Sequence, residues 1–399
     1  MAISKLSLVS LLALSTIAFQ LPAAAQISNS ACEQTKGCED IKKPEPQKRR
    51  VAYPQPRIQI ALLLDTSNSM DGLIDQAKTQ LWTLVNELGE GKKSGQSPII
   101  EIALYEYGND NISISKGYVR QVVSLTTDLD DVSEKLFGLR TDGGQEYAGQ
   151  VIMTSLDELE WSKNPNDMKL IIIAGNEEFT QGPVSYESAC ARAKRGGIII
   201  DTIHCGSEQT GIDGKWRAGA ECAGGIYMTI DQDEKYVHIP SPYDDDIIRL
   251  NKELNGTYIG YGAQGLIAKE RQEVQDSNAQ SMSTGVSLKR AKSKASASYR
   301  NESWDLVDAY KMDKDKVMAM EETELPEELK GKTPIERAAF IEAKQAERAA
   351  LQTEIKDLSQ KQAAHIAGKR KEMSETKTLD NVMVSAVRKQ AAGSGYKFK

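Results

Sequence analysis

Histidine is scarce in this sequence. Three are present, His204, His238 and His365, on different predicted elements. A His-based catalytic triad or a zinc site therefore has little to build on. No glycine-rich loop of the P-loop type occurs, which removes the usual phosphate cradle. Positive charge is not in excess either. Fifty Lys and Arg stand against 57 Asp and Glu, a formal net charge of −7, which argues against nucleic acid as a partner. Beyond the N-terminal apolar stretch, no run is long and apolar enough to span a membrane.

That N-terminal stretch has the form of a signal peptide. Lys5 supplies the positive start, Leu6 to Leu21 the apolar segment, and Ala23-Ala24-Ala25 the small-residue cleavage site. Residues 1–25 are expected to be removed, leaving Gln26 first and placing the protein in the periplasm or outside the cell. All five cysteines, Cys32, Cys38, Cys190, Cys205 and Cys222, follow the cleavage site. Disulfides are then possible, and an odd count leaves one thiol over. Residues 26–56 carry proline and the basic cluster Lys48-Arg49-Arg50 without apolar periodicity, and are expected to be a flexible segment.

From residue 57 to 262 short apolar strands alternate with helical patterns. Strands are expected at 58–65, 99–107, 119–125, 169–174, 198–204, 226–230 and 257–261. Their continuous apolar character is that of a sheet buried on both faces. The strands at 99–107 and 119–125 are separated by a turn sequence, Gly108-Asn109-Asp110-Asn111, so one of them should be antiparallel at an edge. The fold class expected is α/β, a doubly wound, mostly parallel sheet, followed by a C-terminal helical region with a long charged helix. Residues 263–332 are polar and are expected to be linker and short helices. Thr333-Pro334-Ile335-Glu336 has the form of a helix start, and residues 333–399 form the C-terminal helical region.

The sequence is organised around Asp65-Thr66-Ser67-Asn68-Ser69. A buried strand runs into it, and an amphipathic helix with Ile74, Ala77, Leu81, Leu84, Val85 and Leu88 on one face leaves it. Such a stretch is also the composition of a helix cap. Its place at the carboxyl end of a parallel strand, where doubly wound sheets bind ligands, favours a site. Asp65, Ser67 and Ser69 offer hard oxygen atoms, suited to Mg²⁺, Mn²⁺ or Ca²⁺.

This stretch resembles the metal-ion-dependent adhesion site that opens a von Willebrand factor type A domain. With Lys169–Glu177, Phe179–Val184, Thr202–Gly206 and the tail around Asn301–Asp308, the chain resembles bacterial secreted proteins that carry such a domain. The resemblance implies a non-enzymatic binding or adhesion module, a divalent cation, and a protein ligand whose carboxylate completes the metal's coordination. It also implies a threonine ligand from a glycine-rich loop. Here that loop is Thr141-Asp142-Gly143-Gly144-Gln145-Glu146, and Thr141 and Glu146 are both candidates. Where the family has an aspartate after its fourth strand, this chain has Gly175-Asn176, so cation binding is expected to be weaker.

Two further expectations concern sulfur. Cys190 near the start of a helix and Cys205 at the end of the next strand share a rim, so Cys190–Cys205 and a local Cys32–Cys38 bridge are expected, with Cys222 free. An enzymatic alternative would use Glu146, His204 and Cys205. The export reading is checked by N-terminal sequencing of the secreted protein. Gln26 is the expected first residue, and a retained Met1 or a lipidated Cys32 would contradict it.

Overall fold

The computed structural model describes residues 55–231, 238–370 and 379–398. The proposed signal peptide, the Cys32–Cys38 bridge and the basic cluster at 48–50 lie outside the described residues. Six strands form one sheet: β1 Arg57–Asp65, β2 Ile99–Tyr107, β3 Val119–Thr126, β4 Met168–Gly175, β5 Ile199–Cys205 and β6 Tyr227–Ile230. Their order is β3-β2-β1-β4-β5-β6. Every neighbouring pair is parallel except β2 and β3, the antiparallel edge that the turn at 108–111 predicts. β1 lies in the centre, with Ile58, Ile60, Ala61 and Leu63 fully buried, because residues of both parities along it face helices.

Helices cover both faces. They are α1 Asp71–Glu90, α2 Leu129–Gly138, α3 Ala148–Glu158, α4 Tyr186–Gly196, α5 Glu208–Asp213, α6 Trp216–Glu221, α7 Asp244–Asn255, α8 Gly262–Met282, α9 Thr284–Lys294, α10 Leu306–Met312, α11 Lys314–Met318, α12 Pro334–Arg370 and α13 Leu379–Gly393. One apolar layer joins α1, α2, α7, α9 and α13 to the sheet. The other joins α3, α4 and α6 to the opposite face. Among the described residues no helix is long and apolar enough to cross a membrane.

Two expectations are corrected. The disulfide joins Cys190 to Cys222, with Cα atoms 5.8 Å apart, and Cys205 is a free, buried thiol. Side chains alternate across a strand. Cys205 faces the α1 layer, whereas Cys190 on α4 faces the other, so the sheet separates them. Cys222 follows α6, on the same side as α4, and meets Cys190 there.

Residues 257–261 are not a strand. Their backbone pairs with the turn before α10: Leu306 donates to the Ile259 carbonyl at 2.8 Å, and Tyr261 to the Trp304 carbonyl at 2.9 Å.

Residues 263–332, expected to be linker and short helices, begin with two packed helices, α8 of 21 residues and α9 of 11. Among the buried positions of α9 are two cations. Arg290 is 1% exposed. It donates to Asp130 at 2.6 Å, to Asp276 at 2.5 Å and to the Gln272 carbonyl at 2.8 Å, and stacks on Trp82. Lys294, fully buried, pairs with Asp276 at 2.8 Å. Two cations against two carboxylates cancel, and every guanidinium nitrogen finds an acceptor, which is what lets such groups leave water.

α12 opens with the expected capping box, the Thr333 N–H and the Glu336 N–H each bonded to the other residue's side chain at 2.8 and 3.3 Å. It is fastened by Arg348, which bonds Asp305 at 2.6 Å and the Thr257 carbonyl at 2.6 Å and lies over the Tyr258 ring. Arg290→Ala strands Asp130 and Asp276 without their shared cation. It should cost about 3–5 kcal/mol of unfolding free energy, the usual loss when one partner of a buried pair is removed. Urea denaturation measures this, and a loss below about 1 kcal/mol would show that the cluster does not hold α9 in place.

Candidate functional site

β1 has β2 on one side and β4 on the other, so the sheet order reverses at β1, and a crevice opens beyond the carboxyl ends of these strands. Asp65 ends β1 at the floor of that crevice and is fully buried. Its Oδ1 accepts the Ser67 backbone N–H at 2.8 Å. Its Oδ2 is buried without a hydrogen-bond partner. The Ser67 and Ser69 hydroxyls lie 3.5 Å apart. Neither the turn at 68–70 nor α1 receives a side-chain cap. The Asp-x-Ser-x-Ser stretch is therefore not spent on capping the helix it precedes.

Three other loops close around this floor. The Thr66 N–H donates to the Tyr107 carbonyl at 2.9 Å, and the Asp142 N–H to the Thr66 carbonyl at 3.0 Å. Asn109 Nδ2 reaches the Arg140 carbonyl at 2.9 Å. Gly108, at φ +79°, comes so close that a Cβ there would lie 2.8 Å from both Asp65 Oδ1 and Glu146 Cγ. Gly175 explains the missing aspartate after β4: a Cβ on it would meet the Tyr107 hydroxyl at 2.4 Å and Asp65 Oδ2 at 3.0 Å. Only glycine fits there. The next residue, Asn176, donates from Nδ2 to Ser69 Oγ at 3.1 Å, and its Oδ1 is buried and unpartnered.

The two candidates from the 141–146 loop separate. Glu146, buried, puts its carboxyl within hydrogen-bonding reach of Asp65 and Ser67, and its Oε2 has no partner. Thr141 Oγ1 instead donates to Asp71 at 2.5 Å, on the outer side of the loop. The structure thus brings Asp65, Ser67, Ser69 and Glu146 together and sets Thr141 apart. Asn109, Tyr107 and Gln181, which hold these groups, were not singled out in the sequence. Gly108-Asn109 carried a turn signal that also suits the hairpin, so its second role was hidden.

His204 and Cys205 do not join this cluster as a nucleophile–base pair. His204 packs on Trp216, and both its ring nitrogens lack partners. Burial pushes the imidazole down and the Cys205 thiol up, so the thiol is not activated.

Among the described residues no three His, Cys, Asp or Glu side chains converge as a metal-binding group. What converges is two carboxyls, two hydroxyls and an amide oxygen. Three of these oxygens are buried without a donor, and all suit a hard divalent cation. Unfilled, the site is costly. Burial raises Asp65 from 3.8 to about 6, while burial and the adjacent Asp65 raise Glu146 from 4.5 to about 9. Both groups hold protons more tightly folded than unfolded. Their contribution is therefore full below about pH 4 and lost as pH rises through about 6 and then about 9. In EDTA the melting temperature should fall between pH 6.5 and 9, and Glu146→Gln should flatten that fall. Equal slopes for the two proteins would remove Glu146 as its source.

The family model of the von Willebrand factor type A domain matches residues 59–211, less than half of the chain. A comparison with curated proteins finds no match. Among solved structures, the chain is similar to the conserved hypothetical protein BatB from Bacteroides thetaiotaomicron, at 17% identity, 44% of this chain, 90% of that chain and TM-score 0.34. It is similar to the SpRpn10 VWA domain at 14% identity, 45% of this chain, 90% of that chain and TM-score 0.33. It is also similar to proximal thread matrix protein 1 from the mussel byssus with a zinc-occupied MIDAS motif, at 14% identity, 45% of this chain, 43% of that chain and TM-score 0.33. Residues 59–211, with Asp65-x-Ser67-x-Ser69 at the carboxyl end of β1, are thus similar to a von Willebrand factor type A domain.

Proposed function

We propose that this protein is an exported, non-enzymatic binding module that presents a divalent cation, Mg²⁺ or Mn²⁺, at the carboxyl rim of its sheet to a protein ligand. Asp65, Ser67, Ser69 and Glu146 are the residues that would hold the ion, and Asn176 Oδ1 is the neutral oxygen beside them. The bound ion would supply a positive charge on which a partner's carboxylate can close. One observation carries the reading. The Ser67 and Ser69 hydroxyls are not spent on a helix cap, and Ser67 lies within reach of a pair of buried carboxyls whose Oδ2 and Oε2 lack donors. Buried polar atoms without partners are rare in folded proteins and call for an unseen ion or water. The C-terminal helices, fixed by Arg290 and Arg348, would serve as a docking or spacing element.

Isothermal calorimetry with Mg²⁺ and Mn²⁺ tests the assignment. Asp65→Ala should abolish binding, because it removes the carboxylate at the centre of the floor. Thr141→Ala should leave affinity within about twofold, since its hydroxyl is engaged by Asp71. Unchanged affinity in Asp65→Ala would mean that the ion, if bound at all, sits elsewhere.

A further inference from the structure

The charge of the site turns on Glu146, two residues before α3 starts at Ala148. A neutral hydroxyl there would leave a divalent ion with Asp65 as its only anionic neighbour on the floor, and a net charge of +1. Glu146 brings a second carboxyl. Its carboxyl already reaches Asp65 and Ser67, and its Oε2 is buried with nothing to accept from.

The backbone holds it there. Glu146 N–H donates to Gln181 Oε1 at 3.2 Å, and the same loop is tied to β1 through Asp142 and to the β2–β3 turn through Asn109. Gly108 packs against Glu146 Cγ on the β2 side. The rim outside this floor is also anionic. Asp71, Asp110, Glu177 and Glu178 are exposed, and the charge of Glu177 reaches both Asp65 and Glu146. A small free anion approaching the crevice is thus opposed twice, at the rim and at the floor.

We propose that Glu146 is the specificity-determining residue of the site, an internal carboxylate ligand that occupies the position an acidic partner would fill. The inference rests on the cation-binding reading above and adds its regulation. The loaded site is charge-neutral and closed to free carboxylates, and an acidic partner engages it only by displacing Glu146. Three features make displacement a side-chain event. Ser67, Ser69 and Asp65 sit on a separate loop, Gln181 holds the backbone and not the carboxyl of residue 146, and Oε2 has no tie of its own.

Mn²⁺ and acetate serve as probes on the full mature chain, read by water-proton relaxation of the bound Mn²⁺. Mn²⁺ binding is measured first. Wild type should bind Mn²⁺, and acetate should leave the relaxation of the bound ion nearly unchanged. Glu146→Gln, which keeps the shape and the Gln181 contact, should bind Mn²⁺ at least about tenfold more weakly. Its bound ion should lose relaxivity as acetate replaces water, with acetate binding at least about tenfold tighter than in wild type. Glu146→Thr should behave the same way and stands in if the glutamine variant does not fold.

Equal acetate affinity in wild type and either variant, with Mn²⁺ bound in both, overturns the internal-ligand proposal and leaves the cation site standing. Undiminished Mn²⁺ affinity in the variants also overturns it. Absence of Mn²⁺ binding by wild type removes the cation-binding reading itself, and the two failures are therefore told apart at the first step.

Discussion

A carboxylate buried at the end of the central strand is the constraint around which this molecule is built. Asp65 has lost all contact with water, and its one firm hydrogen bond comes from the Ser67 backbone, two residues on. Taking a charge out of water is costly unless a cation or several donors receive it. The surroundings do not supply that compensation. Tyr107 turns its hydroxyl to the Ala174 carbonyl, Gly108 and Gly175 bring bare backbone, and Glu146 adds a second acid. Each would be an error in a core whose only task was stability. Together they make a floor that a divalent ion can complete. Strained and unsatisfied groups of this kind gather where a fold serves binding.

The rest of the chain offsets that cost. β1 is flanked by parallel neighbours on both sides, and apolar layers cover both faces of the sheet. The helices after the domain match use charge for the same end. Arg290 and Lys294 neutralise Asp130 and Asp276 inside the α8–α9 packing, and Arg348 neutralises Asp305 from α12. The ions of these clusters are thus compensated, while those at the crevice are not. Asp276 shows the contrast: its two cationic neighbours pull its carboxyl below the ordinary range, whereas Asp65 and Glu146 are pushed above it.

Much of this was legible in the sequence. The continuous apolar runs of β1, β2, β4 and β5 announce a sheet buried on both faces, and the helical period after Met70 places Asp65-x-Ser67-x-Ser69 on a strand-to-helix turn. The cysteine pairing was not legible, because it depends on which side of the pleat Cys205 faces. The length of α8 was not legible, because its buried face is made of Gly265, Ala268, Gln272, Gln275 and Ala279 rather than leucine, and the cations Arg290 and Lys294 on α9, which pair internally, look like a solvated face. Thr257–Tyr261 has strand composition but spends its hydrogen bonds on the turn before α10. Which of Thr141 and Glu146 lies beside Asp65 turned on loop geometry: the hydroxyl faces Asp71 and the carboxyl faces Asp65, which composition does not encode.

The most direct test of the central claim is anomalous diffraction from crystals of the protein soaked in Mn²⁺. One peak is expected in the crevice beyond β1, bonded by oxygens of Asp65, Ser67 and Ser69 with Glu146 as a further carboxylate ligand. A crevice without a peak, or an ion held instead by the exposed acids Asp110, Glu177 and Glu178 on the rim, would contradict it.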